Sequence, residues 1–155
     1  MTIKANPDLR KIEVDSLWKK NVQTEHLVRG FRFLVDEPVK IGGDNEAPTP
    51  LDYVVGAFNG CILVVIDSVG KELGFQYKDI EISSEAWVDR RGLKGTADVS
   101  PYYQTVRNKI VFYTEHSNEL LIEVKKTVQK RCPLYNLLKD AGVEVELDWS
   151  ITGGS

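Results

Sequence analysis

Residues 49–74 read TPLDYVVGAFNGCILVVIDSVGKELG and predict one long helix. Thr49 can cap the first turn, Pro50 suits the first helical position, and Asp52 stands three residues after the cap. Residues 53–66 are apolar on nearly every side of a helix, which is typical of a helix that is buried all round. This apolar run is too short for a membrane span, which needs about 20 residues. We therefore expect the central helix of a globular domain.

The segments before this helix alternate apolar and polar residues and predict β-strands. One strand is expected at residues 11–18 and a longer one at residues 24–36. In the longer strand, Arg29 would share the inward face with Phe31 and Phe33, and the strand would end at a loop rich in proline and glycine.

The segments after the helix predict two more strands, two helices and a final strand. The expected elements are strands at 79–88 and 105–115, a loop at 89–95, a helix from Ser117, a helix at 134–141 and a strand at 143–151. The order β, β, helix, β, β, helix, helix, β predicts an α+β fold in which antiparallel sheet wraps the central helix.

Composition indicates a soluble globular protein. The 155 residues are 42% hydrophobic and 28% charged, which suits a single domain covering residues 1–155. The net charge of -3 argues against a nucleic-acid groove, which needs a basic face. The first residues lack the apolar core of a signal peptide, so we expect a cytoplasmic protein with no membrane partner.

Metal and nucleotide cofactors are not expected. The two histidines and two cysteines, His26, Cys61, His116 and Cys132, show none of the short spacings of zinc ligands. The glycine-containing loop at 42–50 lacks the GK[ST] ending of a phosphate loop. In a reducing compartment, two distant cysteines are free thiols or a catalytic pair.

Cys132 stands in KRCPLYNLL, residues 130–138, where one predicted helix ends and Pro133 begins the next. Free backbone N–H groups and the helix dipole stabilise a thiolate at such a position, so we expect a lowered pKa. Lys130 and Arg131 would act in the same direction if they pointed toward the sulfur. The alternative is a small residue packed in the core, since free cysteine is among the most buried residue types.

Cys61 lies in the middle of the long helix, where core packing is the default interpretation. It becomes reactive if a cation reaches it in a partly open pocket. Arg29 is the candidate cation, because an arginine on an apolar strand face needs a partner; the alternative is a residue that reaches solvent at a strand edge. Asp52 could orient this arginine, or it could serve only as the acid of a capping box.

Asp52 cannot act on the thiol of its own chain if the helix is continuous. Nine helical residues separate it from Cys61 by about 13 to 14 Å along the axis. If the acid serves a thiol through an arginine, either the helix is broken or the acid reaches the site of a partner subunit.

Several sequence elements together resemble one known superfamily. Residues 36–61 read DEPVKIGGDNEAPTPLDYVVGAFNGC, and RCPLYNLL and an alternating last strand follow much later. This pattern is similar to the osmotically inducible protein C and organic hydroperoxide resistance superfamily (OsmC/Ohr), and specifically to its OsmC-like branch. The resemblance implies an OsmC-like fold and an intertwined homodimer in which sheet wraps each central helix.

The resemblance also implies a function as an antioxidant, stress-response peroxidase. In the peroxidases of the superfamily, the cysteine matching Cys61 attacks an organic hydroperoxide and becomes a sulfenic acid. The cysteine matching Cys132 then forms a disulfide with it, which an external dithiol or a lipoylated protein reduces. The activating arginine of these enzymes maps to Arg29, with Arg32 as the reserve, and no cofactor is implied.

One position departs from the hydroperoxide-resistance branch. That branch carries glutamate where this chain has Leu51, whereas the acid here is Asp52, about 100° further around the helix. Two alternatives to the peroxidase therefore remain. One is a non-catalytic or weakly redox-active module that binds a small apolar or thiol-bearing ligand at the dimer interface, and the other is a protein whose cysteines are inert core residues.

Overall fold

The computed structural model describes residues 7–153, and the chain divides into two compact units, Met1–Tyr53 and Val54–Ser155. The first unit contains a three-stranded sheet with the order β1-β2-β3, in which both strand pairs are antiparallel. Its strands are β1 (Asp15–Lys20), β2 (Gln23–Val28) and β3 (Phe31–Val35), followed by a 3-10 turn at Val39–Ile41.

The second unit contains a second three-stranded sheet, with the order β4-β5-β6, and the helices that pack on it. Helix α1 (Pro50–Leu73) begins at the end of the first unit and continues through the second. The other elements are β4 (Asp79–Val88), α2 (Arg90–Lys94), β5 (Tyr103–Tyr113), α3 (Asn118–Arg131), α4 (Pro133–Asp140) and β6 (Glu144–Thr152). The predicted α+β class is confirmed.

The second sheet is mixed, whereas the sequence predicted antiparallel sheet. Strands β4 and β5 are antiparallel, but β5 and β6 are parallel. The reason lies in the connection: two helices, α3 and α4, separate β5 from β6, and a connection of this length lets the chain return and run in the same direction. The alternation of the last strand could not distinguish the two directions.

The prediction of one strand at residues 24–36 is wrong. The segment is a hairpin in which Val28 pairs with Phe31. Arg29 and Gly30 form its two-residue turn, with φ angles of 50° and 84°, the positive values that a tight hairpin turn requires. Arg29 is therefore a turn residue, not an inward-facing strand residue.

The segment at 89–95, predicted as a loop, contains the short helix α2. The Asp89 side chain caps it by accepting a hydrogen bond from the backbone N–H of Arg91 at 3.0 Å. Gly95 ends the helix in a left-handed conformation with φ at 65°. The aspartate and the glycine are ordinary helix start and stop signals, but a helix this short shows no apolar periodicity.

The predicted start of α1 is confirmed as a capping box. The backbone N–H of Thr49 donates to Asp52 Oδ2 at 2.9 Å, and the backbone N–H of Asp52 donates to Thr49 Oγ1 at 3.2 Å. Within one chain, however, only one face of the helix is buried, and Val64 is 69% exposed. The prediction of a helix covered on every side therefore fails for the single chain.

By length and composition α1 could cross a membrane, but core helices of soluble proteins pass the same test. Its buried face belongs to the core of the second unit, through the side chains of Phe58, Ile62, Ile66 and Val69. Helix α3 contributes Leu121, Val124 and Val128 to the same core.

Candidate active site

The two cysteines meet in the second unit. Cys61, in the middle of α1, and Cys132, between α3 and α4, are 71 residues apart in sequence, yet the Cys132 thiol donates a hydrogen bond to the Cys61 sulfur at 3.7 Å. Both are free thiols; Cys132 is fully buried, whereas Cys61 is partly exposed. Cys61 is therefore the more accessible of the two cysteines.

The junction between α3 and α4 holds Cys132 firmly. The Cys132 backbone N–H donates to the carbonyl of Val128 at 2.8 Å, which ends α3. Its own carbonyl accepts from the side chain of Asn136 at 2.9 Å, and this side chain also donates to the carbonyl of Gln129 at 2.9 Å. Pro133 then occupies the first turn of α4. One asparagine thus fastens both helices around the buried thiol.

The expectation of a lowered Cys132 pKa is wrong, because burial raises the pKa of this thiol to about 11. The N–H groups of Tyr135 and Leu134 at the start of α4 act in the predicted direction, and the Cys61 sulfur acts against them. Arg131 does not neutralise this effect, since its guanidinium pairs with Glu72 at 2.7 Å. Cys132 is a protonated thiol at neutral pH.

The proposed activating residues belong to the first unit. The Arg29 guanidinium lies over the ring of Phe31, 5.7 Å from its centre, and Arg32 Nη1 donates to Glu25 Oε2 at 3.1 Å. The Asp52 carboxylate accepts hydrogen bonds from Thr49. Among residues 7–153, no ion pair joins Asp52 to either arginine, so the structure brings together the two cysteines but not this pair.

A partly buried polar cluster in the second unit was missed by the sequence reasoning. Ser84 Oγ donates to Asn59 Oδ1 at 2.7 Å, and Asn108 Nδ2 donates to the same oxygen at 3.3 Å and to Ser84 Oγ at 3.1 Å. Trp149 Nε1 donates to Asn108 Oδ1 at 3.0 Å. The signal was available: Asn59 interrupts an apolar helix, and Asn108 interrupts the apolar face of a strand.

Within the described part of the chain, no group of three or more His, Cys, Asp or Glu side chains could hold a metal ion. The cysteine pair offers a different chemistry. It can cycle between two thiols and a disulfide, and its two sulfurs differ in exposure.

Comparison with known proteins agrees with this architecture. The family described as OsmC-like protein matches residues 43–148, which include both cysteines. A search of curated proteins gives no match. Solved structures do match, at low sequence identity.

The structure of an OsmC-like protein from Mycoplasma pneumoniae matches with a TM-score of 0.76 and 13% identity, covering 94% of this chain and 99% of that one. An organic hydroperoxide resistance protein OsmC from Legionella pneumophila matches with a TM-score of 0.67 and 16% identity, covering 93% and 98%. The organic hydroperoxide resistance protein OhrB of Bacillus subtilis matches with a TM-score of 0.65 and 13% identity, covering 90% and 98%. These structures show the fold, and the family match shows that this chain belongs to the OsmC-like proteins.

Proposed function

We propose that this protein is a cytoplasmic, cysteine-based reductase of organic hydroperoxides. The proposal rests on one distance: the sulfurs of Cys61 and Cys132, which belong to separate helical elements, lie 3.7 Å apart. Two free thiols at this distance can close a disulfide with little movement, since bonded sulfurs lie about 2.05 Å apart.

In the first step, the Cys61 thiolate attacks one oxygen of the peroxide. The S–O bond forms as the O–O bond breaks, the departing alkoxide takes a proton to become an alcohol, and Cys61 becomes a sulfenic acid. Cys61 has this role because it is partly exposed, whereas the buried Cys132 sulfur is closed to solvent.

In the second step, Cys132 loses its proton and attacks the Cys61 sulfur. The S–S bond forms as the S–O bond breaks, and the sulfenic oxygen leaves as hydroxide, which then takes up a proton to become water. The high pKa of Cys132 suits a resolving thiol that waits in its protonated form and does not compete for peroxide. A dithiol, either small or carried on a lipoylated protein, then restores both thiols by exchange.

The surroundings favour an organic substrate. Partly buried apolar side chains that pack against the same core as Cys61 include Val65, Leu134 and Tyr135. Apolar surroundings of this kind suit a hydrophobic peroxide better than hydrogen peroxide. The names of the Legionella and Bacillus relatives, which refer to organic hydroperoxide resistance, support the same substrate class.

A homodimer is part of the proposal. Val64, near the middle of α1, is 69% exposed in the single chain, and an apolar residue there suits contact with a second copy. A partner subunit would also provide the setting in which Arg29 or Arg32 could act on a thiol, as the family resemblance implies.

The alternative, a module that binds a small apolar or thiol-bearing ligand, has one observation in its favour. The Asp52 carboxylate is already engaged by the helix cap, so in this chain it does not orient an arginine. Such a module would leave both thiols reduced when peroxide is added.

The test is consumption of cumene hydroperoxide and of hydrogen peroxide with a dithiol reductant, for wild type, Cys61→Ser and Cys132→Ser. We expect turnover to disappear in Cys61→Ser, and Cys132→Ser to lose activity progressively as its sulfenic acid becomes over-oxidised. Cumene hydroperoxide should be the better substrate. If neither peroxide is consumed in a thiol-dependent way, the peroxidase proposal is wrong and the ligand-binding module becomes the hypothesis to test.

A further inference from the structure

The partly buried polar cluster connects α1 to all three strands of the second sheet. Asn59 lies on α1, Ser84 on β4, Asn108 on β5 and Trp149 on β6. Asn108 is fully buried, and among the described residues no buried side-chain polar atom lacks a hydrogen-bond partner. A satisfied cluster of this kind specifies one arrangement of the elements that it joins.

The cluster lies two residues from the reactive cysteine. On a helix, Asn59 and Cys61 are separated by about 200° of rotation and about 3 Å of rise, so they project from different sides of α1. Asn59 meets the sheet, while Cys61 meets the junction between α3 and α4. Any rotation of α1 that weakens the hydrogen bonds of Asn59 to the sheet also moves the Cys61 sulfur relative to Cys132.

The size of this coupling follows from helix geometry. The Cys61 sulfur lies about 5 Å from the helix axis, so a rotation of about 20° moves it by roughly 1.7 Å. That displacement is close to half of the 3.7 Å that separates the two sulfurs. Apolar contacts alone tolerate small rotations, because they are not directional, whereas hydrogen bonds lose strength as their angles change.

We propose that Asn59 is a positioning residue for the thiol pair. Its Oδ1, which accepts from Ser84 and Asn108, fixes the rotation of α1 on the sheet and thereby keeps the Cys61 sulfur in line with Cys132. The biological meaning of this role rests on the proposed peroxidase function. The mechanical role does not, since it concerns how readily the two thiols close into a disulfide.

The experiment measures the disulfide equilibrium without peroxide. Reduced protein is equilibrated with mixtures of oxidised and reduced dithiothreitol, in which oxidised dithiothreitol takes two electrons and two protons from the thiols. The disulfide fraction is then read by alkylation and mass spectrometry. A failed peroxidase assay would leave this measurement intact, so the two proposals can fail separately.

Four variants separate positioning from stability. Asn59→Ala removes the acceptor, and Asn59→Asp keeps an acceptor of the same shape. Ser84→Ala removes one of the donors to Asn59 and is the milder variant if Asn59→Ala folds poorly. Val69→Ala, on the buried face of the same helix, lowers stability without touching the cluster.

We expect Asn59→Ala to lower the equilibrium constant for disulfide formation by about tenfold or more, since misplacement of about 1 Å has effects of this size. Ser84→Ala should show a smaller loss in the same direction. Asn59→Asp and Val69→Ala should stay within about threefold of wild type. The proposal is overturned if the equilibrium constants for disulfide formation of Asn59→Ala and Ser84→Ala both match that of wild type. It is also overturned if Val69→Ala lowers this constant as much as Asn59→Ala does when the two variants lose the same free energy of unfolding.

Discussion

The starts of α1 and α4 are two helix N-termini that the chain uses in opposite ways. At the start of α1, the partly exposed Thr49 and the exposed Asp52 satisfy backbone N–H groups in a reciprocal capping box. At the start of α4, the capping position is held by Cys132, whose sulfur makes no regular capping hydrogen bond and is fully buried. Both helices begin with backbone N–H groups that need acceptors. The two helix starts differ in their access to water.

Burial can outweigh the effect of a helix N-terminus on the pKa of a thiol. The N–H groups of Tyr135 and Leu134 favour the charged form of Cys132, but removal from water disfavours it more strongly, so the pKa rises to about 11. A cysteine before a proline at a helix start is therefore not by itself an activated thiol.

The rate of disulfide closure should depend steeply on pH. Because the Cys132 thiolate is the attacking species and its pKa is about 11, its fraction rises about tenfold per pH unit below that value. We therefore predict that the step from sulfenic acid to disulfide accelerates about a hundredfold between pH 7 and pH 9. Stopped-flow fluorescence can measure the rate of this step. A rate that no longer rises above pH 8 would mean that the helix N-terminus lowers the pKa of Cys132 more than burial raises it.

The same pKa predicts a loss of stability in alkali. The folded-state pKa of Cys132 is raised from its ordinary 9.0, so its contribution is complete below pH 9 and is lost as the pH rises from 9 to about 11. We expect the free energy of unfolding of wild type to fall by about 2 kcal/mol more than that of Cys132→Ala over this range. Urea unfolding gives the free energy of unfolding of both proteins at each pH. If the two plots of this free energy against pH ran parallel, Cys132 would not be a buried neutral thiol.

Asp36 is expected to stabilise the loop that leads into α1. Its buried carboxylate accepts from the backbone N–H groups of Glu37, Asp44 and Glu46 and from Gln23. Asp36→Ala leaves these donors without their acceptor and should cost about 2 kcal/mol.

The pKa of Asp36 gives an independent check on this loop. The backbone N–H of Glu46, as the main cause, holds the pKa below its usual 3.8. The stabilisation is therefore present above about pH 4 and lost as the pH falls through the folded-state pKa. If wild type and Asp36→Ala differed equally at pH 7 and pH 2, charge on this side chain would have no part in the effect.

The capping box gives a smaller prediction. Asp52→Ala should lower the free energy of unfolding by about 1 kcal/mol, because it removes the acid of the cap, and should leave the rate of disulfide closure unchanged. Thr49→Ala is the matched control, since it breaks the same box from its other side. If Asp52→Ala abolished peroxide turnover while Thr49→Ala preserved it, the carboxylate would be a catalytic group as well as a cap.

The smallest effect is expected at the ion pair between Arg131 and Glu72. Both side chains are about half exposed, so Arg131→Gln should change the free energy of unfolding by less than about 1 kcal/mol. The thiol titration of Cys132 should not move, since the guanidinium is directed to Glu72. A lower Cys132 pKa in the wild type than in Arg131→Gln would show that the arginine does act on the sulfur.

Local signals in the sequence were sufficient for the starts of α1 and α4. The Thr49 cap and Pro133 each fixed a helix start because the relevant interactions lie within a few residues. The hairpin at Arg29 and Gly30 was missed for a different reason: arginine is an unusual residue at positive φ, so the alternation of the flanking strands hid the turn.

Long-range features required the structure. The direction of β6 depends on the connection through α3 and α4, and the meeting of Cys61 with Cys132 was implied only by the family resemblance. The pKa of Cys132 depends on how completely the surrounding chain excludes water, which no local pattern records.

The most direct test of the thiol pair is to treat the fully reduced protein with one equivalent of cumene hydroperoxide, block free thiols by alkylation, and map peptides without reduction. We predict that a disulfide joins the peptides carrying Cys61 and Cys132 of the same chain, and that it does not form in Cys61→Ser. Recovery of both cysteines as alkylated thiols, or of over-oxidised Cys61 beside an alkylated Cys132, would contradict a two-thiol mechanism.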